Sequence, residues 1–460
     1  MTRIATPDAP HVLAIVQAGG QGSRMDVLTR ERAKPALPYA GSYRLVDLAI
    51  SAAAGSGIGD VWVTVQYMAS TLDDHLQHGR PWDLDRVRGG YRRMVPETGR
   101  TGVPAFSESN TEDLLAIRDD IEEQAPDLVI TLSADQVLVC DLAAVVAGHV
   151  DAGAECTILS LSTPAETAQH KAVLEVDGQT VTGITEKPDD PGPEPTISAE
   201  VAVFDWPALR EVLDAVRAER STCGSEGAGQ DEDGAQEVSD EGPGDLPEEV
   251  LPRLIERGRT RHHPIDGYWR DMGRPDSYLQ GHRDLLHSPE QVFGTDHLVV
   301  RGSHRDLPPA VVTATGEVSG SMLSPGCRVA GTVERSVLSP GVVVEEGAHV
   351  VDSVVFEDVR VAAGARIASS IIDARCRWAR EPAWVSRGRP SSATRTSPSS
   401  GARRWCCREP SCPRGPASTR AAAPASPAEL SGAAAAGPGS ASPGRPRPAT
   451  GGGAAPRPAR

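Results

Sequence analysis

His11-Val12-Leu13-Ala14-Ile15-Val16 runs into Ala18-Gly19-Gly20-Gln21-Gly22-Ser23-Arg24 near the start of a 460-residue chain. A short apolar run ending in a dense glycine turn predicts a buried parallel strand that opens into a loop. Gly19, Gly20 and Gly22 would let backbone amides approach an anion with no Cβ in the way. Arg24, and Lys34 within Arg32-Ala33-Lys34-Pro35, add mobile positive charge. The spacing is neither GxxxxGK[ST] nor GxGxxG. The expected ligand is a nucleoside triphosphate.

Outward from this loop the chain alternates strand-like and helix-like segments to about residue 160. That rhythm predicts a mostly parallel, three-layer α/β sheet. Gly79 to Ser109 reads as a polar stretch, and Asn110 to Gln124 as one helix. Asp127 to Leu132 reads as a strand ending at Ser133-Ala134-Asp135. Ligands of such sheets bind at the carboxyl ends of strands, which marks Asp135. Val173 to Val181 predicts a hairpin turning at Asp177-Gly178. Ser221 to Val250 holds ten Asp or Glu and no Lys or Arg, and predicts a disordered acidic insertion within the first domain.

Near Leu307 the periodicity changes. Ser321-Met322-Leu323-Ser324-Pro325-Gly326 and Ser336-Val337-Leu338-Ser339-Pro340-Gly341 are nearly identical. Hexapeptide repeats of this kind stack into the coils of a β-helix. The repeats end near Asp373, and residues 375–460 hold fifteen Arg, three Glu and much Pro, Ala, Ser and Gly. Such a composition predicts disorder. It fits either a reading-frame change in a GC-rich gene or a genuine basic tail. The expected domains are 1–290, 291–374 as a β-helix, and 375–460 as the tail.

The ordered set Gly19-Gly20-Gln21-Gly22-Ser23-Arg24, Leu28-Thr29, Arg32-Ala33-Lys34-Pro35 and Tyr43-Arg44-Leu45-Val46-Asp47 resembles the sugar-nucleotide pyrophosphorylases. Within them it looks like the bacterial glucose-1-phosphate adenylyltransferase branch. The resemblance spans residues 11–372. It implies a Rossmann-like nucleotidyltransferase domain followed by a left-handed parallel β-helix. It implies ATP and α-D-glucose 1-phosphate as substrates, ADP-glucose and diphosphate as products, and a step toward glycogen. Mg²⁺, a homotetramer and small-molecule allosteric effectors are implied as well.

By the same resemblance Arg24, Lys34 and Asp135 are catalytic. Gly19, Gly20, Gly22, Arg24, Thr111 and Asp113 would bind the nucleotide. Glu186 and Lys187 of the Glu-Lys-Pro motif would hold the sugar phosphate, and Asp135 and Asp271 the metal. Ala52, Glu112, Leu114, Gln136 and Arg274 depart from the family pattern in what would be the base and sugar walls. Two alternatives stay open: a related nucleotidyltransferase of other nucleotide or sugar specificity, and a catalytically impaired regulatory homologue.

Composition narrows the partners. A net charge of −17 argues against nucleic acid or an anionic membrane. There is no run of eighteen apolar residues and no charged-then-apolar leader, so a cytoplasmic protein is expected. Lysine is scarce: Lys34, Lys171 and Lys187 are the only three, and two of them lie in the motifs above.

Overall fold

The computed structural model describes residues 9–20, 22–87, 89–95, 107, 109–223, 244–294, 298–379 and 405–406. The strands before the repeats, in chain order, are β1 (Val12–Gln17), β2 (Pro38–Tyr39), β3 (Tyr43–Arg44), β4 (Asp60–Thr64), β5 (Gly90–Met94), β6 (Leu128–Ser133) and β7 (Gln136–Leu138). Then come β8 (Cys156–Ser162), β9 (Ala172–Asp177), β10 (Thr180–Glu186), β11 (Thr196–Asp205), β12 (Thr260–Pro264) and β13 (Trp269–Asp271). Nine of them form one sheet in the order β5-β4-β1-β6-β11-β8-β12-β10-β9.

β1 lies near the middle because both of its faces are apolar. Ala14 and Val16 pack into one core with the helix Leu45–Gly55, while Leu13 and Ile15 pack into another with Leu114, Ile121, Leu209, Leu213 and Leu254. A strand with two buried faces needs helices on both sides, which gives the Rossmann-like layering.

The sheet is mixed, where the strand–helix rhythm predicts mostly parallel. β5, β4, β1 and β6 run parallel, but β11 is antiparallel to both β6 and β8. The Asp177-Gly178 hairpin adds β9 and β10 at the edge. β5 lies within the stretch read as polar. Its Arg92 stacks over the Trp62 ring at 4.9 Å, so an edge strand with little apolar alternation is still held.

Residues 224–243 of the acidic insertion lie outside the described residues. Its edges are drawn in. The helix Trp206–Cys223 runs past Ser221, and Leu246–Glu249 is helical with a capping box between Asp245 and Glu248. Leu246 and Val250 are buried in the second core, and their apolar burial keeps this end folded.

From Val311 the chain winds into three parallel sheets. Val329, Val344 and Val361 stack in one, Val333, Val350 and Ile367 in the next, and Leu338, Val355 and Ile372 in the third. All nine side chains are buried in one core. A serine ladder runs up one corner. The amides of Ser336, Ser353 and Ser370 donate to the hydroxyls of Ser321, Ser336 and Ser353 at 3.0, 3.1 and 3.2 Å.

The coil continues past the expected end at residue 374. Arg377–Trp378 pairs with Arg360–Val361, Cys376 is buried, and Trp405–Cys406 pairs with Ile371–Ile372. These pairings were hidden because their residues break the repeat. Residues 380–404 and 407–460 lie outside the described residues. Among the described residues no helix is long and apolar enough to cross a membrane.

Candidate active site

The parallel strands β1, β4 and β6 end on the same edge. Beyond them come the glycine loop, Gln66 and Asp135 respectively. Gly22 has φ +65°, and a Cβ there would lie 2.9 Å from the Lys34 Cβ. Only glycine lets the loop turn this tightly against the Lys34 stem. Thr29 pins the turn by donating its hydroxyl to the Gly22 carbonyl at 2.9 Å. Gly20 is exposed, with open space where a side chain would be. Arg24 is also exposed, and among the described residues it has no ion-pair partner. Gln21 lies outside the described residues.

Lys34 reaches across to Asp135 and donates to its carboxylate, as does Ser133. Burial would raise the Asp135 pKa, but Lys34, Lys171 and these hydrogen bonds outweigh it and hold the carboxyl well below its usual range. Asp271 is brought to the same place by pairing of β13 with β7, which sets Asp271 opposite Gln136. The Met272 amide donates to the Asp135 carbonyl at 3.0 Å, and the Gly273 amide to Asp271 Oδ1 at 3.2 Å.

Gln136, one of the departures from the family pattern, accepts a hydrogen bond from Trp269 Nε1 at 2.6 Å and so clamps these two strands. Leu114 fills the second core and Ala52 the first. Three of the departures are thus met by packing or hydrogen bonding inside the fold.

Glu186 and Lys187 pair with each other at the end of β10, and the Lys187 amide donates to the Lys171 carbonyl at 3.1 Å. Lys171 is buried. Its ammonium lies 2.6 Å from Glu200 Oε1, 3.4 Å from Asp271 Oδ1 and 5.7 Å from the Trp269 ring centroid. Burial would lower its pKa, but Glu200, Asp271 and Asp135 outweigh that and raise it. All three lysines of the chain therefore stand at one edge of the sheet.

Thr111 and Asp113 sit beneath the loop. Thr111 is fully buried with an unpartnered hydroxyl, and Asp113 accepts from Thr64 at 3.0 Å, from Gln66 at 2.5 Å and from Ser107. Lys171, Glu200 and Ser133 were missed as site residues by sequence reasoning. The scarcity of lysine was the one signal that pointed to the first of them.

Residues 13–288 match the nucleotidyl transferase family, and residues 308–382 match the GlmU-like C-terminal hexapeptide family. Glucose-1-phosphate adenylyltransferase of Corynebacterium jeikeium (strain K411) is 33% identical over 383 residues, covering 79% of this chain and 89% of the relative. The chain belongs to the glucose-1-phosphate adenylyltransferase family of bacterial sugar nucleotidyltransferases. Enzymes of the same name from Corynebacterium kroppenstedtii and Acetivibrio thermocellus are 32% and 30% identical, over 74% and 78% of this chain and 83% and 80% of theirs. As a member of this nucleotidyltransferase family, the chain is an enzyme that handles nucleotide and sugar-phosphate substrates, and the family implies a divalent metal.

The donor set fits such a metal in a limited way. Magnesium binds through one or two carboxylates and leaves its other positions to water and phosphate oxygens. Asp135 and Asp271 supply that pair. Among the described residues no group of three or more His, Cys, Asp or Glu could hold a metal by itself.

Proposed function

We propose that the enzyme transfers an adenylyl group from ATP to α-D-glucose 1-phosphate, releasing diphosphate and forming ADP-glucose. One observation carries this reading. Lys34 on Asp135 and Lys171 on Asp271 stand beside the glycine loop, and the backbone of Lys187, at the end of β10, is hydrogen-bonded to that of Lys171. Two phosphorylated substrates meeting in line need such a density of cations and no protein nucleophile.

The sugar phosphate is already ionised, so its oxygen attacks the α-phosphorus directly. Amides of Gly19, Gly20 and Gly22 cradle the triphosphate, and Thr111 and Asp113 support the nucleotide side from below. Exposed Arg24 meets the β- and γ-phosphates and stabilises the departing diphosphate. Lys34 moves from Asp135 onto a phosphate oxygen. Lys187 leaves Glu186 to pair with the sugar phosphate, which frees Glu186 to accept from sugar hydroxyls. Asp135 and Asp271 would hold Mg²⁺, which neutralises phosphate charge when bound.

The resemblance supports placing the product in glycogen synthesis, and a cytoplasmic homotetramer under effector control. A second reading is a different sugar phosphate. It is favoured by the buried Lys171–Glu200 pair, which takes up space beside Asp271.

The test is a panel of nucleotides and sugar phosphates with detection of diphosphate. ATP with glucose 1-phosphate is expected to give the highest kcat/KM. Asp135→Asn is expected to lose roughly a hundredfold or more with its fold intact. No diphosphate from any pair would end the reading, and a better sugar phosphate would establish the second one.

A further inference from the structure

Lys171 is the lysine that no motif absorbs, yet it is the most enclosed of the three. Its ammonium bridges Glu200 and Asp271, and Lys34 at the same time covers Asp135. Glu200 reaches it from an unusual backbone. Its φ is +56° in the middle of β11, where the register with β8 shifts between Ser198 and Ala202. A non-glycine residue in that region is strained, and such strain persists where the surroundings enforce it. The ion pair with Lys171 stands at this irregularity of the strand. A lysine ammonium is a compact charge with three donors, so it can satisfy two carboxylates at once.

We propose that Lys171 is a resident counter-ion in the metal site, so that the protein takes up a divalent cation together with the nucleotide's phosphates and not alone. A free hydrated cation approaching Asp271 meets an ammonium already seated there. It brings no anion to compensate that charge. A cation carried on a triphosphate arrives with negative oxygens, which draw Lys34 off Asp135 and balance Lys171. The inference rests on Asp135 and Asp271 being the metal pair. It makes Lys171 and Glu200 positioning residues, acting through Asp271.

The probe is manganese(II) alone, titrated into the full-length protein and followed by electron paramagnetic resonance, with no nucleotide present. The double variant Lys171→Met/Glu200→Gln removes both charges and leaves no buried ion unpaired. The two charges removed cancel in total, so the expected gain in manganese affinity, about tenfold, comes from Asp271, whose carboxylate no longer has an ammonium seated 3.4 Å from it. Adding Asp271→Asn is expected to abolish that gain. Equal affinity in wild type and double variant overturns the proposal, as does a gain that survives Asp271→Asn.

Should the double variant unfold, Lys171→Leu/Glu200→Met, which also removes the two charges together, serves, with the same expected gain and the same overturning result. Turnover is not measured, so failure of the ATP and glucose 1-phosphate reading in the substrate panel remains a separate result.

Discussion

Asp113 accepts three hydrogen bonds beneath the glycine loop, yet burial still lifts its pKa to about 6. Ser107, Thr64 and Gln66 pull it down, and burial outweighs them. In the unfolded chain this carboxyl titrates near 3.8. The folded form thus favours the neutral acid, and the stability this group allows at low pH is lost as pH rises from about 4 through about 6. An amide at the position does not titrate, and any fixed offset it introduces is the same at both pH values. Relative to the wild type, Asp113→Asn is therefore expected to gain about 2 kcal/mol between pH 4 and pH 7, read from urea midpoints. A pH-independent difference would show that the carboxyl is solvated.

Gly22, Lys34 and Asp135 could be singled out because each stands in a motif of sequence neighbours, and the fold brings Lys34 onto Asp135 beside the Gly22 turn. Lys171 and Glu200 could not be singled out this way. Their partnership joins β11 to the start of β9, and Glu200 adopts a backbone that nothing in the letters Ser198-Ala199-Glu200-Val201 announces.

Among elements, the coil was the easiest to read, since each turn repeats its predecessor. Ser353 shows what the repeat is for. Its hydroxyl donates to the Val351 carbonyl at 2.7 Å and accepts from the Ser370 amide at 3.2 Å, in a corner closed to water. Ser353→Ala leaves that amide without its acceptor. The expected cost is about 1–3 kcal/mol in chemical denaturation. A cost near zero would mean that the corner relaxes onto other acceptors.

The stretch Asn110 to Gln124 was harder. Its apolar spacing reads as one helix, but Ile117 at φ −102°, ψ 8° breaks it into Asn110–Ala116 and Arg118–Gln124. Ile117 is buried, so packing against the second core overrides local propensity there. The parallel halves of the sheet follow from strand–helix alternation. The reversal of β11 does not, because strand direction is set by where a connection lands, and apolar content carries no record of it.

At the scale of the molecule, the coil and the sheet are joined by charge and by rings. Arg283 forks onto Asp352 at 2.7 and 2.5 Å, and Arg32 donates to Asp373 at 2.7 Å while its guanidinium lies 5.5 Å from the Phe356 ring centroid. Arg32 is almost wholly enclosed, with a side-chain exposure of 9%. Removing its partner strands a charge away from water. Asp373→Ala is expected to cost about 3 kcal/mol, and Arg32→Met/Asp373→Leu far less, both read by urea denaturation. Equal losses in the two variants would show that the contact is packing alone. None of this joint was legible beforehand, since Arg32 and Asp373 are distant in sequence and neither position shows a pattern of its own.

Arg32 stands two residues ahead of Lys34, so the last turns of the coil hold one end of the cation-bearing loop. Heating that peels the coil from its far end would slacken this loop while the strands beneath it are still paired. The enzyme would then fall silent at a temperature lower than the one at which its circular dichroism collapses.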